Sequence, residues 1–491
     1  MDIGSRKLIK RALLIISALF LLLHTQGYAE NKKSNYNIIL IAIDTLRADH
    51  LSCYGYFRNT TPNIDKFAKD AILFKNCISQ SSWSLPSFSS IFTSLYPTTH
   101  RVDEKNQYLD GSRITLAEVL KGFGYRTAAF TGGSHLNHIF GLNQGFDEYE
   151  DKVHFGSFFH SMPSAIRWLE KNKGDKFFIF IHGYDIHTPY YAPLYFNELY
   201  DPKYRGVVHD EKDFFTNTGL GGFSGGVYYK NLPDIFLFRF KDRWYAMDDR
   251  APNKFNWNAY NMGFDSVPLK NKDREHVISH YDGALTYTDM WVGLLLNKMN
   301  QMDLKSNTIV LITSDHGEGM GENGYFRHRF DLYHNMLHVP LIIRHPDFDT
   351  GQKKINALVE SIDIMPTILD FLNIPVKYDL QGKTLLPLIK SNDRGFKLYA
   401  FSGISDRYSI CSNRWQLVYH KNGFKELFDL KGDYKEQRSV VDKYPAVVHA
   451  LEQELLKWVK ATIQPIPAMP IAQDGSGEKD LRELLKRAGY W

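Results

Sequence analysis

Two acidic segments far apart in the chain each follow an apolar run. Asn37-Ile38-Ile39-Leu40-Ile41-Ala42-Ile43 leads into Asp44, and Thr308-Ile309-Val310-Leu311-Ile312-Thr313-Ser314 leads into Asp315-His316-Gly317-Glu318. Apolar, β-branched runs of this kind read as strands buried on both faces of a parallel sheet. Ligands of open α/β sheets collect just beyond the carboxyl ends of such strands. Two carboxylates and an imidazole placed there predict a metal site, formed by Asp44, Asp315 and His316. Between the two motifs lies Ser82-Trp83-Ser84-Leu85-Pro86-Ser87. Pro86 suits the first turn of a helix and puts Ser84 just before its N-terminus, where backbone N–H groups and the helix dipole favour an anion or alkoxide. A serine is a weak nucleophile until a base or a metal activates it. Beside a divalent ion its hydroxyl proton is lost far more easily, so Ser84 is the candidate nucleophile. The plainer alternative is that Ser84, in a serine-rich stretch, is only a helix cap.

The elements that must position these residues alternate from about residue 36 to 390. Thr61-Pro62 opens a helix running towards Ala71. Further buried strands are expected at Thr127–Phe130, Phe177–Ile181 and Pro340–Arg344, and helices at Leu116–Phe123, Arg274–Met299 and Ile362–Leu372. This alternation predicts an α/β fold, a large mixed sheet flanked by helices, over residues 36–391. Residues from about 200 to 272 interrupt it with Gly, Asn, Asp and aromatic residues and the run Gly219-Leu220-Gly221-Gly222-Phe223-Ser224-Gly225-Gly226. The run lacks a preceding strand and a following Lys-Ser/Thr, so it reads as an inserted loop or lid rather than a phosphate cradle. Short strands at Lys397–Ser402, Tyr408–Ser412, Trp415–Tyr419 and Glu426–Asp429 predict a small C-terminal β-rich subdomain over residues 392–464, followed by a tail at 465–491.

The chain has 491 residues, 43% hydrophobic and 23% charged, a globular composition long enough for a large domain plus a smaller one. Arg6, Lys7, Lys10 and Arg11 against Asp2 supply +3 of the net charge of +4. The remainder is nearly neutral, which gives no argument for a nucleic-acid partner. That basic start precedes an apolar core, Ala12–Leu23, and the small-x-small triplet Gly27-Tyr28-Ala29. The pattern predicts a cleaved export signal at residues 1–29 and a periplasmic or secreted protein. The core is shorter than the ~20 residues that span a bilayer, so no stable membrane span is expected after cleavage. Cys53, Cys77 and Cys411 are too few and odd in number for a disulfide framework and read as small hydrophobes.

Taken together, these motifs resemble the sulfatase branch of the sulfatase/alkaline-phosphatase superfamily over Asn37 to about Asp442. The series is Asp44-Thr45-Leu46-Arg47-Ala48-Asp49, Ser84-Leu85-Pro86-Ser87, Asp185-Ile186-His187-Thr188-Pro189, Ser314-Asp315-His316-Gly317-Glu318 and Leu337-His338-Val339-Pro340. The resemblance implies an alkaline-phosphatase-like fold and hydrolysis of a sulfate or phosphate ester on a small molecule, a glycan or a lipid. It implies one divalent metal (Ca, Mn or Zn) on Asp44, Ser84, Asp315 and His316, with Ser84 as nucleophile, either unmodified or converted to formylglycine. His187, His328 and His135 match histidines around the substrate's anionic group and leaving oxygen. The general acid is expected to be His187 or His328, while Glu318, Arg47 and Asp49 read as supporting residues. Four positions depart from the family pattern. Phe88 stands where the formylglycine signal has Arg, Gly133 where Lys precedes the matched His135, Thr45 where a second metal Asp is common, and His328 where Lys is common. These departures favour unmodified Ser84, as in a phosphodiesterase or phospho-group transferase. They also leave open a degenerate member that binds substrate without turnover. The imidazole ligand suits Mn or Zn better than Ca.

Overall fold

The computed structural model describes residues 35–464, except 189, 191, 206–207, 211–226, 230–234, 241–242, 249–270, 323–325, 329–330, 349–350, 376–377 and 392–395. The expected export signal, the tail and the glycine run at 219–226 lie outside the described residues. The central sheet has eight strands: β1 (Asn37–Ile43), β2 (Ile72–Ile78), β3 (Arg126–Phe130), β4 (Glu148–Glu150), β5 (Phe177–Gly183), β6 (Thr308–Thr313), β7 (His338–Arg344) and β8 (Lys353–Glu360). Their order across the sheet is β8-β2-β7-β6-β1-β5-β3-β4. β7 runs against both of its neighbours and every other pairing is parallel, which makes the sheet mixed.

β1 and β6 are buried at every position, the burial expected of strands covered on both faces. Successive side chains of β1 alternate between two cores. Ile38, Leu40 and Ala42 meet helices α2 (Ser84–Thr93), α3 (Leu116–Gly122) and α6 (Ile364–Phe371) on one face. Ile39, Ile41 and Ile43 meet α1 (Pro62–Ala68), α4 (Phe158–Asn172) and the 31-residue α5 (Asn271–Gln301) on the other. The register aligns three strand ends. Ala42 lies opposite Thr313 of β6 and His182 of β5, so the residues after all three strands emerge at one edge.

The C-terminal part is a four-stranded antiparallel sheet of β9 (Ala400–Ile404), β10 (Arg407–Cys411), β11 (Trp415–His420) and β12 (Lys425–Asp429). It packs on α7 (Pro445–Thr462), whose Leu451, Leu455 and Trp458 share a core with Ile410 and Leu417. Tyr96 and Ile362 of the larger part complete that core. Gly403 N–H donates to Gln80 O and Ser402 Oγ to Ser79 O, tying β9 to the loop before α2. The three cysteines are unpaired, Cys77 and Cys411 buried and Cys53 half-buried. Among the described residues no helix is long and apolar enough to cross a membrane.

Candidate active site

Asp44 and Asp315 follow adjacent parallel strands, and neither carboxylate is exposed to solvent. Thr45, the next residue after Asp44, has φ of +56° and turns its N–H back onto Asp315 Oδ1 at 3.1 Å. Ser314 Oγ donates to the same oxygen at 3.2 Å. Among the described residues Asp315 Oδ2 and Asp44 Oδ1 are buried without a hydrogen-bond partner. Burial, and then the charge of Asp315, push the Asp44 carboxyl well above the ordinary carboxylate range. His316 Nδ1 donates to Gly317 O at 2.8 Å, which leaves the Nε2 lone pair facing Asp315 Oδ2 at 3.2 Å. Ligating atoms of Asp44, Asp315 and His316 all lie within 4.8 Å of one another. Two orphaned carboxylate oxygens and the imidazole Nε2 form a donor set that fits a divalent cation such as Mn or Zn.

Ser84 is the first residue of α2, one position further into the helix than Pro86 implied, with Trp83 at the N-cap. Its Oγ lies 3.3 Å from Asp44 Oδ2 and 3.2 Å from His316 Nε2. The structure therefore brings Asp44, Ser84, Asp315 and His316 into one cluster. His328 and His187 continue the cluster, with ring centroids 4.4 Å from His316 to His328 and 4.9 Å from His328 to His187. His328 Nδ1 meets Glu318 Oε1 at 3.2 Å, and Thr188 Oγ1 donates to Glu318 Oε2 at 3.0 Å. His187 Nδ1 donates to Thr188 O. Burial, and then His328, hold His187 well below the usual histidine range. His135 is buried with its ring edge-on to Trp83 at 5.3 Å, so it touches the residue before Ser84.

The departures have physical reasons. Phe88 is fully buried, with ring centroids 6.2 Å from Phe92, 5.6 Å from Phe180 and 5.2 Å from His182. Gly133 has φ of +65°, and a Cβ there would meet Val153 O at 2.2 Å, so the position admits no lysine. Arg47 is buried in ion pairs with Asp49 and Glu322, both at 2.8 Å, a structural role. A second group, Asp331, His420 and Glu426, already holds Arg407 against Asp331 at 2.9 Å and reads as an ion cluster between the two parts of the chain.

The motif series does not include His182. It is the second-last residue of β5, with no exposed surface, and its Nε2 lies 3.2 Å from Asp44 Oδ2. Burial pushes its pKa down to about 3. The available signal was a histidine at the carboxyl end of a predicted strand, the same criterion that selected Asp44 and Asp315.

The family model "Sulfatase" matches residues 36–374, and "N-sulphoglucosamine sulphohydrolase, C-terminal" matches residues 321–461. An N-acetylglucosamine-6-O-sulfatase of Bacteroides thetaiotaomicron is 25% identical over 484 residues, covering 87% of this chain and 86% of the relative. A solved structure holding D-glucosamine-2-N,6-O-disulfate as its substrate superposes with a TM-score of 0.68 at 20% identity, covering 87% and 98% of the two chains. A phosphonate monoester hydrolase of Agrobacterium radiobacter superposes with a TM-score of 0.66 at 19% identity, covering 87% and 96%.

Proposed function

The chain belongs to the sulfatase family and is a sulfuric ester hydrolase, and we propose that it cleaves its ester by direct attack of Ser84. The observation that carries this reading is the placement of Ser84 Oγ between Asp44 Oδ2 and His316 Nε2, beside two orphaned buried carboxylate oxygens. Asp44, Asp315, His316 and Ser84 Oγ would hold a divalent cation, which when bound neutralises the carboxylates and lowers the hydroxyl's pKa. Asp44 Oδ2 accepts the Ser84 hydroxyl proton. The freed oxygen attacks sulfur in line with the leaving oxygen, the S–O bond to the leaving group breaks, and sulfate is left esterified to Ser84. His328, its ring held by Glu318, gives the leaving oxygen its proton, while His187 contacts the anion. His135 supports the site by packing on Trp83. Water then attacks the sulfur of the Ser84 ester and passes a proton to His328, the S–O bond to Ser84 breaks, Asp44 returns its proton to the Ser84 oxygen, and inorganic sulfate and the Ser84 hydroxyl are released.

The buried apolar ring of Phe88 at the signal's arginine position supports an unmodified Ser84. It also supports a second reading, in which the same serine opens a phosphoester. The named relatives support a sugar-borne sulfate ester as substrate, and the N-terminal sequence supports export. The test is a parallel panel of aryl sulfate, glucosamine 6-sulfate, phosphate monoester and phosphate diester with Ca, Mn or Zn, run on wild type and Ser84→Ala. Sulfate release that Ser84→Ala abolishes supports the proposal, and turnover of the phosphodiester alone selects the second reading. A substrate-binding protein without turnover would hydrolyse none of them. Intact mass of the peptide containing Ser84 separates serine from formylglycine.

A further inference from the structure

The three carboxylate and imidazole groups of the proposed cation site share a pattern: a neutral partner holds one ligating atom and leaves the other turned to the site. Thr45 N–H and Ser314 Oγ take Asp315 Oδ1 and leave Oδ2. Gly317 O takes His316 Nδ1 and leaves Nε2 to the site, 3.2 Å from Ser84 Oγ. For Asp44 the occupied atom is Oδ2, which Ser84 Oγ reaches from the site at 3.3 Å and His182 Nε2 from the protein interior at 3.2 Å.

His182 is built to make that contact. Its backbone is paired in the sheet opposite Ala42, two residues before Asp44. Its ring stands edge-on to Phe88 at 5.2 Å and to Tyr184 at 4.6 Å, and lies parallel to Phe180 at 6.3 Å. Gly132 N–H points at His182 Nδ1 at 3.5 Å, which assigns the ring proton to Nε2 and makes His182 the donor to Asp44. A carboxylate can exchange its two oxygens by turning about its last torsion, and a donor fixed in the sheet opposes that exchange. A neutral donor does so without pairing off the negative charge that would attract a cation, whereas a lysine or arginine there would compete with the ion.

We infer that His182 is the positioning residue of Asp44: it aims Oδ1 at the cation and keeps Oδ2 in place to receive the Ser84 proton. The inference rests on the cation reading proposed above. Outer partners of metal ligands typically change affinity by about 10–100-fold when removed.

The test measures Mn²⁺ and Zn²⁺ affinity of the intact chain by competition with a chelator, with thermal unfolding of the cation-free protein as a check on folding. His182→Gln carries an N–H donor at about the reach of Nε2, and His182→Asn stops short of Asp44. His182→Gln is expected within about 3-fold of wild type, with His182→Asn and His182→Ala about 10–100-fold weaker. At saturating cation the Asn variant is expected to lose kcat with KM little changed. Where the Ala variant fails to fold, the Gln and Asn pair decides. Equal affinity for Gln and Asn overturns the inference, because the hydrogen bond would then not matter. Asp44→Asn is the control for the underlying reading. Wild-type affinity in His182→Asn with binding lost in Asp44→Asn overturns the positioning role alone. Unchanged binding in Asp44→Asn overturns both.

Discussion

Asp185 offers the most direct test of the electrostatics around the site. It follows β5 and is 6% exposed. Its Oδ2 accepts the Phe158 N–H at the start of α4 at 2.8 Å, while Oδ1 is buried without a hydrogen-bond partner among the described residues. Burial pushes the carboxyl up from 3.8 to about 7. A folded-state pKa above the unfolded one means the folded chain holds this proton more tightly. The resulting stability is fully present below about pH 4 and is lost as pH rises through about 7. At 1.36 kcal/mol per pKa unit, the loss between pH 5 and pH 8 comes to about 2–3 kcal/mol. With an unfolding entropy of ~2.1 cal/mol/K per residue over about 430 residues, that is a Tm shift of about 2–3 °C. Asp185→Asn keeps an acceptor for Phe158 and carries no charge. Thermal unfolding of both proteins at pH 5, 6, 7 and 8 is expected to show wild type losing about 2–3 °C relative to the variant across that range. A difference in Tm that stays constant with pH would refute the reasoning, since it would mean Asp185 titrates alike in both states.

Ser84→Ala is expected to lower ester hydrolysis by about 10⁴-fold or more while leaving Tm nearly unchanged, read by kinetics at saturating substrate. A cation at 100 times its Kd is expected to stabilise wild type by about 2.7 kcal/mol, or about 3 °C. A chelator reverses that shift, and Asp44→Asn shows none. Lys397→Met leaves the buried Glu360 and Asp363 carboxylates, 2.5 and 2.7 Å from the lysine Nζ, without their counter-charge. The expected cost is about 3–5 kcal/mol, measured as a lower denaturation midpoint, because Lys397 joins the C-terminal sheet to the larger part.

The fold was legible wherever one structural demand governed a segment. β1 and β6 are apolar at nearly every position because both faces are covered, and that continuous signal placed Asp44 and Asp315 at strand ends. Segments under mixed demands escaped. β2 carries half-buried Lys75 and Asn76 in its middle, and β8 at the sheet edge alternates irregularly between buried and exposed positions. α4 hides its apolar face behind Pro163. α7 was readable from Val448, Leu451, Leu455 and Trp458 at helical spacing, but the strands before it drew the whole subdomain into a β reading. The reversed direction of β7 leaves no trace in composition, since a strand buried in either direction is equally apolar. His182 was missed for a related reason. A histidine inside an apolar run reads as strand, and only the register with β1 brings its ring to Asp44.

The turn after β1 explains how two buried carboxylates can be kept together. Thr45 is β-branched and sits at φ +56°, a left-handed conformation that costs such a residue about 1–2 kcal/mol. The surrounding structure holds it there: Thr45 Oγ1 donates to Ile186 O at 3.1 Å and Tyr281 Oη donates to Thr45 O at 2.9 Å. What the twist gains is direction, because it points the Thr45 N–H at Asp315 Oδ1. Backbone strain at this turn and the imidazole behind Asp44 thus do the same work on opposite carboxylates. Each supplies a neutral donor to one oxygen and leaves the other exposed to its like-charged neighbour. That arrangement lowers the desolvation cost only part of the way, since the repulsion between the bare oxygens stays. A folded chain that satisfied both carboxylates completely would have no need of a cation; this one holds them half-satisfied and facing each other, next to the hydroxyl of Ser84.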